Sequence, residues 1–213
     1  MVQADGDDVV TGFDYKPDDP QGDLVAGEML LFEADALLQG LETLHEQNGS
    51  LEDYGHDLLP FFVEHHRVAA HRLDGYWMDL GTPTSYWQAH MHLLDGVGAV
   101  LDDPRWPILS AQPQLLPARV YESASVVDSM ISAGAEVHGR VEHSVLGPNV
   151  VVEAGAVVRN SVVLDGVRVG AGVVLDQVIV DIGASISTGS FGDATQVTLL
   201  DRSGAIDAQD PVG

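Results

Sequence analysis

Lys16 is the only lysine in a chain of 213 residues that carries 9 basic and 33 acidic side chains. A cation standing almost alone in so acidic a chain is a conspicuous candidate for holding an anion. The plain alternative is an exposed lysine after a loop. Asp79 precedes Gly81-Thr82-Pro83. A carboxylate there could give a hard cation an oxygen ligand, or it could cap the turn that follows. Glu64-His65-His66 and His71 invite a metal reading. Adjacent residues on a helix point to different faces, however, so solvated rings explain the pair better. There is no cysteine, which excludes disulfides and thiolate metal sites.

The formal net charge is −24. Such a chain repels phosphate backbones, so nucleic-acid binding is not expected. No apolar run reaches membrane-spanning length, and the first residues lack the basic and apolar regions of a secretory signal. The expected compartment is the cytoplasm.

Two textures divide the chain. Residues 1–95 mix helical and strand patterns. Leu37, Leu38, Leu41 and Leu44 predict an amphipathic helix over Ala34–Glu46, closed by Asn48-Gly49-Ser50. Leu58, Leu59, Phe62 and Val63 mark a second helix, and Arg67–Leu73 reads as a short strand. Thr84 or Ser85 is expected to cap a third helix through Trp87 and Met91 to Leu94. Alternating elements of this kind argue for an α/β layer. Residues 96–118 read as a connector with Pro104, Pro107, Pro113 and Pro117, which Trp106 could pin to a neighbouring surface.

From about Val120 the sequence repeats itself. The units starting at Ser129, Ser144, Ser161 and Gln177 step by 15, 17 and 16 residues. Branched apolar residues recur about every six positions, as in Leu146, Val152, Val158, Val163, Val169 and Leu175. A six-residue period fits neither a helix nor a flat strand. It fits a solenoid with three short faces per coil, branched residues inside and small residues at the corners. About four coils are expected over residues 119–192, followed by a tail over 193–213. A β-sandwich with glycine-rich turns is the alternative.

Gly75-Tyr-Trp-Met-Asp-Leu-Gly-Thr-Pro-Thr-Ser-Tyr-Trp-Gln-Ala-His90 resembles a segment of the glucose-1-phosphate adenylyltransferase family. Leu51-Glu-Asp-Tyr-Gly-His-Asp-Leu-Leu-Pro60 is similar to the family's Asp-Phe-Gly-x-Asp-Ile-Ile-Pro stretch. Gly12-Phe-Asp-Tyr-Lys-Pro17 resembles its Phe-x-Glu-Lys-Pro motif, and Val25–Phe32 sits where the family has a strand. The order is the family's own, and a hexapeptide solenoid follows. The resemblance implies part of a Rossmann-like α/β nucleotidyltransferase domain over residues 1–95, then a left-handed parallel β-helix. It further implies transfer of a nucleotidyl group, adenylyl in this family, from a nucleoside triphosphate to a sugar 1-phosphate such as glucose 1-phosphate, as in the synthesis of glycogen precursors.

By the same resemblance Lys16 binds the sugar phosphate and Asp79 holds Mg2+ beside it. Glu28, where many relatives have glycine, could accept hydrogen bonds from sugar hydroxyls. Tyr15 stands in place of the family's glutamate and Ala26 in place of its sugar-contacting serine or asparagine. Nothing in these residues matches the family's glycine-rich nucleotide loop, so no catalytic residue is assigned and the chain alone is expected to be inactive. Two other readings stay open. One is a non-catalytic partner or regulatory subunit in a homo- or hetero-oligomer with a full-length relative. The other is a hexapeptide acyltransferase with His138 or His143 as general base.

Overall fold

The computed structural model describes residues 1–213 apart from 21, 52, 111–113, 194, 203–204 and 207–213, with backbone only for 205–206. Pro113 and residues 194, 203–204 and 207–213 of the expected tail therefore lie outside the described residues. The chain forms two compact units, Met1–Gly75 and Tyr76–Gly213. Among the described residues no helix is long and apolar enough to cross a membrane.

The first unit opens on an antiparallel pair, β1 (Val2–Ala4) and β2 (Val10–Phe13). Helix α1 covers Ala34–Asn48, with the Glu33 side chain capping Ala36 N–H at its start. It ends at Gly49, whose φ of 76° is the left-handed state that glycine adopts at little cost. A π-helical turn over Tyr54–Leu58 leads into α2, Leu59–His65. Leu44, Leu59 and Phe62 are buried between the helices, and Gly40 lets the Phe61 and Phe62 rings approach α1.

Two expected strands do not form. Arg67–Leu73 contributes only a bridge between Ala69 and Val9. Val25–Phe32 is irregular, as is the stretch around Asp79. An extended segment becomes a strand only where a ladder partner meets its backbone. The described residues offer none along these stretches beyond short contacts such as Val10 N–H to the Val68 carbonyl at 2.9 Å.

The second unit is a parallel β-solenoid built on three sheets, each coil giving one strand to each. There are about five coils, one more than the sequence spacing suggests. The additional strands are Arg119–Val120 and Ser125–Val127 before the repeat start at Ser129, where Val126 pairs with Val141, and Thr198–Leu200 after the last unit, where Leu200 pairs with Val180. Through most of the solenoid the register steps by seventeen, as from Val157 to Val174 and from Val162 to Ile179. This register makes three interior columns. One runs Val137, Val152, Val169, Ile186; another Val141, Val158, Leu175; the third Leu146, Val163, Val180, Leu200. All are buried, with Ala135, Ala156 and Ala184 filling corners. Each fully buried valine or leucine is worth about 1.5–3 kcal/mol of transfer free energy.

One corner turns without glycine. Asp128, His143, Asn160 and Gln177 all have φ between 44° and 59°. The residues after the first three are serines, and they tie the corner together. Ser129 Oγ accepts from Ser144 N–H, Ser144 Oγ from Ser161 N–H, and Ser161 Oγ from Val178 N–H, each at 3.1 Å. Ser144 and Ser161 are buried and also donate to the carbonyls of Glu142 and Arg159.

Helix α3, Pro83–Leu94, packs on the outer side of one solenoid sheet. Its cap is Thr82, earlier than expected, in a capping box with Ser85. Pro83 explains the shift, since it fits the first helical position and needs no N–H partner there. Tyr86, Trp87, Met91 and Leu94 cover Val162, Ile179 and Val197. This accounts for the continuous apolar run Val178-Ile179-Val180, which is buried on both faces. The connector's Trp106 is 82% exposed and its backbone N–H turns back on the Asp103 carbonyl, so the expected pinning by its side chain is not seen among the described residues.

Candidate functional site

The π-helical turn Tyr54–Leu58 gathers the polar side chains of the first unit. Asp53 caps it, with Oδ1 accepting from Gly55 N–H at 2.6 Å. Asp53 Oδ2 accepts from the Tyr15 hydroxyl at 2.8 Å. The Gly55 amide first, then the Tyr15 hydroxyl, hold the Asp53 carboxyl below the usual carboxylate range. The same bond raises the Tyr15 pKa, since ionising the phenol would remove the donor and set two negative charges together.

Lys16 is the next residue. It is exposed, has φ 43°, and places Nζ 5.5 Å from the centre of the Tyr15 ring. No carboxylate pairs with it among the described residues. Glu28 is also exposed with a positive φ of 59°. It accepts a hydrogen bond from the Tyr54 hydroxyl, which raises the Tyr54 pKa. Tyr15 and Glu28 thus both anchor on neighbouring residues of one turn, Asp53 and Tyr54. Asp53, Tyr54 and the anchoring role of Tyr15 were not assigned from sequence. The signal available was the Asp-Tyr-Gly string, where a capping aspartate before glycine marks a tight turn.

Asp79 lies in the second unit. Its Oδ1 accepts from Gly81 N–H at 2.9 Å, so it caps the turn into α3 as the simpler reading of the sequence has it. Capping and ligation are compatible, because the second carboxylate oxygen is not used by this bond. One carboxylate fits Mg2+ as a single oxygen ligand and does not make a complete site by itself. Among the described residues no group of three or more histidine, aspartate or glutamate side chains could hold a metal ion.

The histidines are engaged in packing. His65 stacks on Phe61 and His66 on Phe62. His138 stacks on Tyr121 with ring centres 3.8 Å apart. Both ring nitrogens of His143 are engaged, Nδ1 with Asn160 Oδ1 at 3.1 Å and Nε2 with Asp95 Oδ1 at 3.0 Å.

Residues 1–96 match the family described as nucleotidyl transferase, and residues 114–192 match the GlmU-like, C-terminal hexapeptide family. Glucose-1-phosphate adenylyltransferases of Bacillus cereus and Bacillus anthracis are 36% identical to the chain over 161 residues, and that of Bacillus mycoides is 37% identical. Each alignment covers 75% of this chain and 43% of the relative. The chain therefore spans less than half the length of the curated relatives it matches.

Proposed function

Because the chain is a homologue of the glucose-1-phosphate adenylyltransferases, with a nucleotidyl transferase region followed by a hexapeptide region, we propose that it carries the sugar-phosphate half of a nucleotidyltransferase site. Lys16 takes the phosphate of a sugar 1-phosphate, glucose 1-phosphate being the first candidate. Glu28 accepts from sugar hydroxyls. Asp79, in the second unit, gives one oxygen to Mg2+. The full reaction transfers an adenylyl group from a nucleoside triphosphate to that phosphate and releases pyrophosphate. The observation that carries this reading is Lys16 itself, the only lysine of a chain of net charge −24, with no carboxylate partner among the described residues.

Calorimetric titration of the 213-residue chain with glucose 1-phosphate and Mg2+ tests it. Binding that Lys16→Ala abolishes is expected, with no pyrophosphate release when a nucleoside triphosphate is added, since these residues contain no glycine-rich phosphate loop. Absence of binding, or binding indifferent to Lys16, would sink the assignment. Turnover by the chain alone would show that the nucleotide is held in some other way.

A second reading is a subunit that joins a full-length homologue through its solenoid. The strands of the first coil have a ladder neighbour on one side only among the described residues, and Val120, Val127 and Met130 are exposed there. Co-purification with a full-length relative tests that reading. The engaged nitrogens of His143 leave less support for acyl transfer.

A further inference from the structure

A residue with a Cβ adopts the left-handed conformation of Lys16 only where its surroundings hold it there. The preceding residue supplies that hold. The Tyr15 hydroxyl is fixed to Asp53, and its ring meets His56 edge-on at 4.4 Å. The ring also lies so close over Gly55 that a Cβ there would sit 2.3 Å from two ring carbons. Tyr15 is therefore a seated platform, and the Lys16 ammonium lies 5.5 Å from its centre, within range of the ring's negative face. Most other cations are paired, as Arg72 with Asp8, Arg159 with Asp176 and Arg168 with Glu153, whereas Arg67 and Arg202 have no carboxylate partner among the described residues.

Resting on the reading of Lys16 as phosphate anchor, we propose that Tyr15 is a positioning residue, whose bond to Asp53 and seat on Gly55 aim the Lys16 ammonium at a phosphate monoester. A neutral phenol steers the lysine and leaves its charge to the ligand. A phenol is neutral through the physiological range at the usual tyrosine value of 10.0, and the bond to Asp53 raises that value further.

The test uses the full chain, with inorganic phosphate and glucose 1-phosphate as probes. Because Lys16 is the only lysine, reductive 13C-methylation adds one dimethyl-lysine NMR signal, distinct from that of the α-amine. In the unsubstituted protein that signal is expected upfield of free dimethyl-lysine, shielded by the Tyr15 ring. Tyr15→Ala is expected to lose the upfield shift and to weaken binding of both probes as much as Lys16→Ala does, with the solenoid's melting unchanged. Tyr15→Phe keeps the ring and loses the hydroxyl bond, so binding is expected to weaken roughly threefold to tenfold. If Tyr15→Ala does not fold, Tyr15→Phe and Asp53→Asn decide the matter. Unchanged affinity in Tyr15→Phe, or lost affinity with an unmoved dimethyl-lysine signal, overturns the positioning role and leaves the Lys16 anchor standing. Failure of the unsubstituted chain to bind either probe overturns the anchor, and the positioning role with it.

Discussion

Trp87 Nε1 donates to the backbone carbonyl of Asn160 at 2.6 Å, joining the middle of α3 to the glycine-free corner of the solenoid. Asp95, at the end of the same helix, meets His143 on the neighbouring coil. Between these two bonds the apolar side of α3 covers Val162 and Ile179. Trp87→Phe is expected to cost about 1 kcal/mol, the net worth of one hydrogen bond. Trp87→Ala is expected to cost about 3 kcal/mol, because packing is lost as well. Chemical denaturation of the second unit checks both, and a phenylalanine variant as stable as the parent would remove the bond from this account.

The serine column makes a sharper prediction. Ser161→Ala strips the acceptor from a buried Val178 N–H while keeping nearly all the volume. An orphaned buried donor costs about 1–3 kcal/mol. Amide exchange at Val178 should accelerate more than at Val163, whose partners are untouched. Equal acceleration at both would mean a global loss of stability rather than a local one.

Stability should depend on pH at both ends through Tyr15 and Asp53. The folded Asp53 pKa is lowered, so its contribution is present above the usual aspartate value of 3.8 and is lost as pH falls through the folded value. The folded Tyr15 pKa is raised, so its contribution is fully present below the usual tyrosine value of 10.0 and is lost as pH rises through the folded value. Tyr15→Phe should remove the alkaline limb and only soften the acid one, because the Gly55 N–H, the larger cause, still holds the Asp53 carboxylate. In an absorbance titration of tyrosinate it should also remove one late-ionising group, and an unaltered titration would count against the bond.

Asp79→Asn separates capping from ligation. The amide oxygen still accepts from Gly81 N–H, so stability should change by less than about 0.5 kcal/mol. The Mg2+ dependence of glucose 1-phosphate binding should disappear if Asp79 is a metal ligand. Persistence of that dependence would leave Asp79 as a cap only.

Hydrogen exchange should be slower in the solenoid than in residues 1–75. The solenoid pairs coil to coil over buried columns, whereas the first unit has two short strands and exposes Met29, Leu31 and Leu38. Equal protection in the two units would refute this expectation.

What could be read from the residues alone was whatever has a period or a local chemistry. The six-residue recurrence through Leu146, Val152 and Val158 marked the solenoid interior, because each inward position must be branched and apolar. The leucines of α1 and its terminal glycine marked a helix, because both signals act within a few residues. Lys16 and Asp79 were singled out by the family resemblance, Lys16 by charge contrast as well. Contacts between distant residues decided the rest. The bond from Tyr15 to Asp53 spans 38 residues and that from Trp87 to Asn160 spans 73, and no local pattern encodes either. The same distance dependence explains why Arg67–Leu73, which looks like a strand in sequence, and Val25–Phe32, where the family resemblance places one, form no strand in the fold. Extended propensity is local, but a strand exists only where another backbone comes to meet it. Lys16 thus entered as a lone charge, and the tertiary structure alone supplied the seated ring beside it.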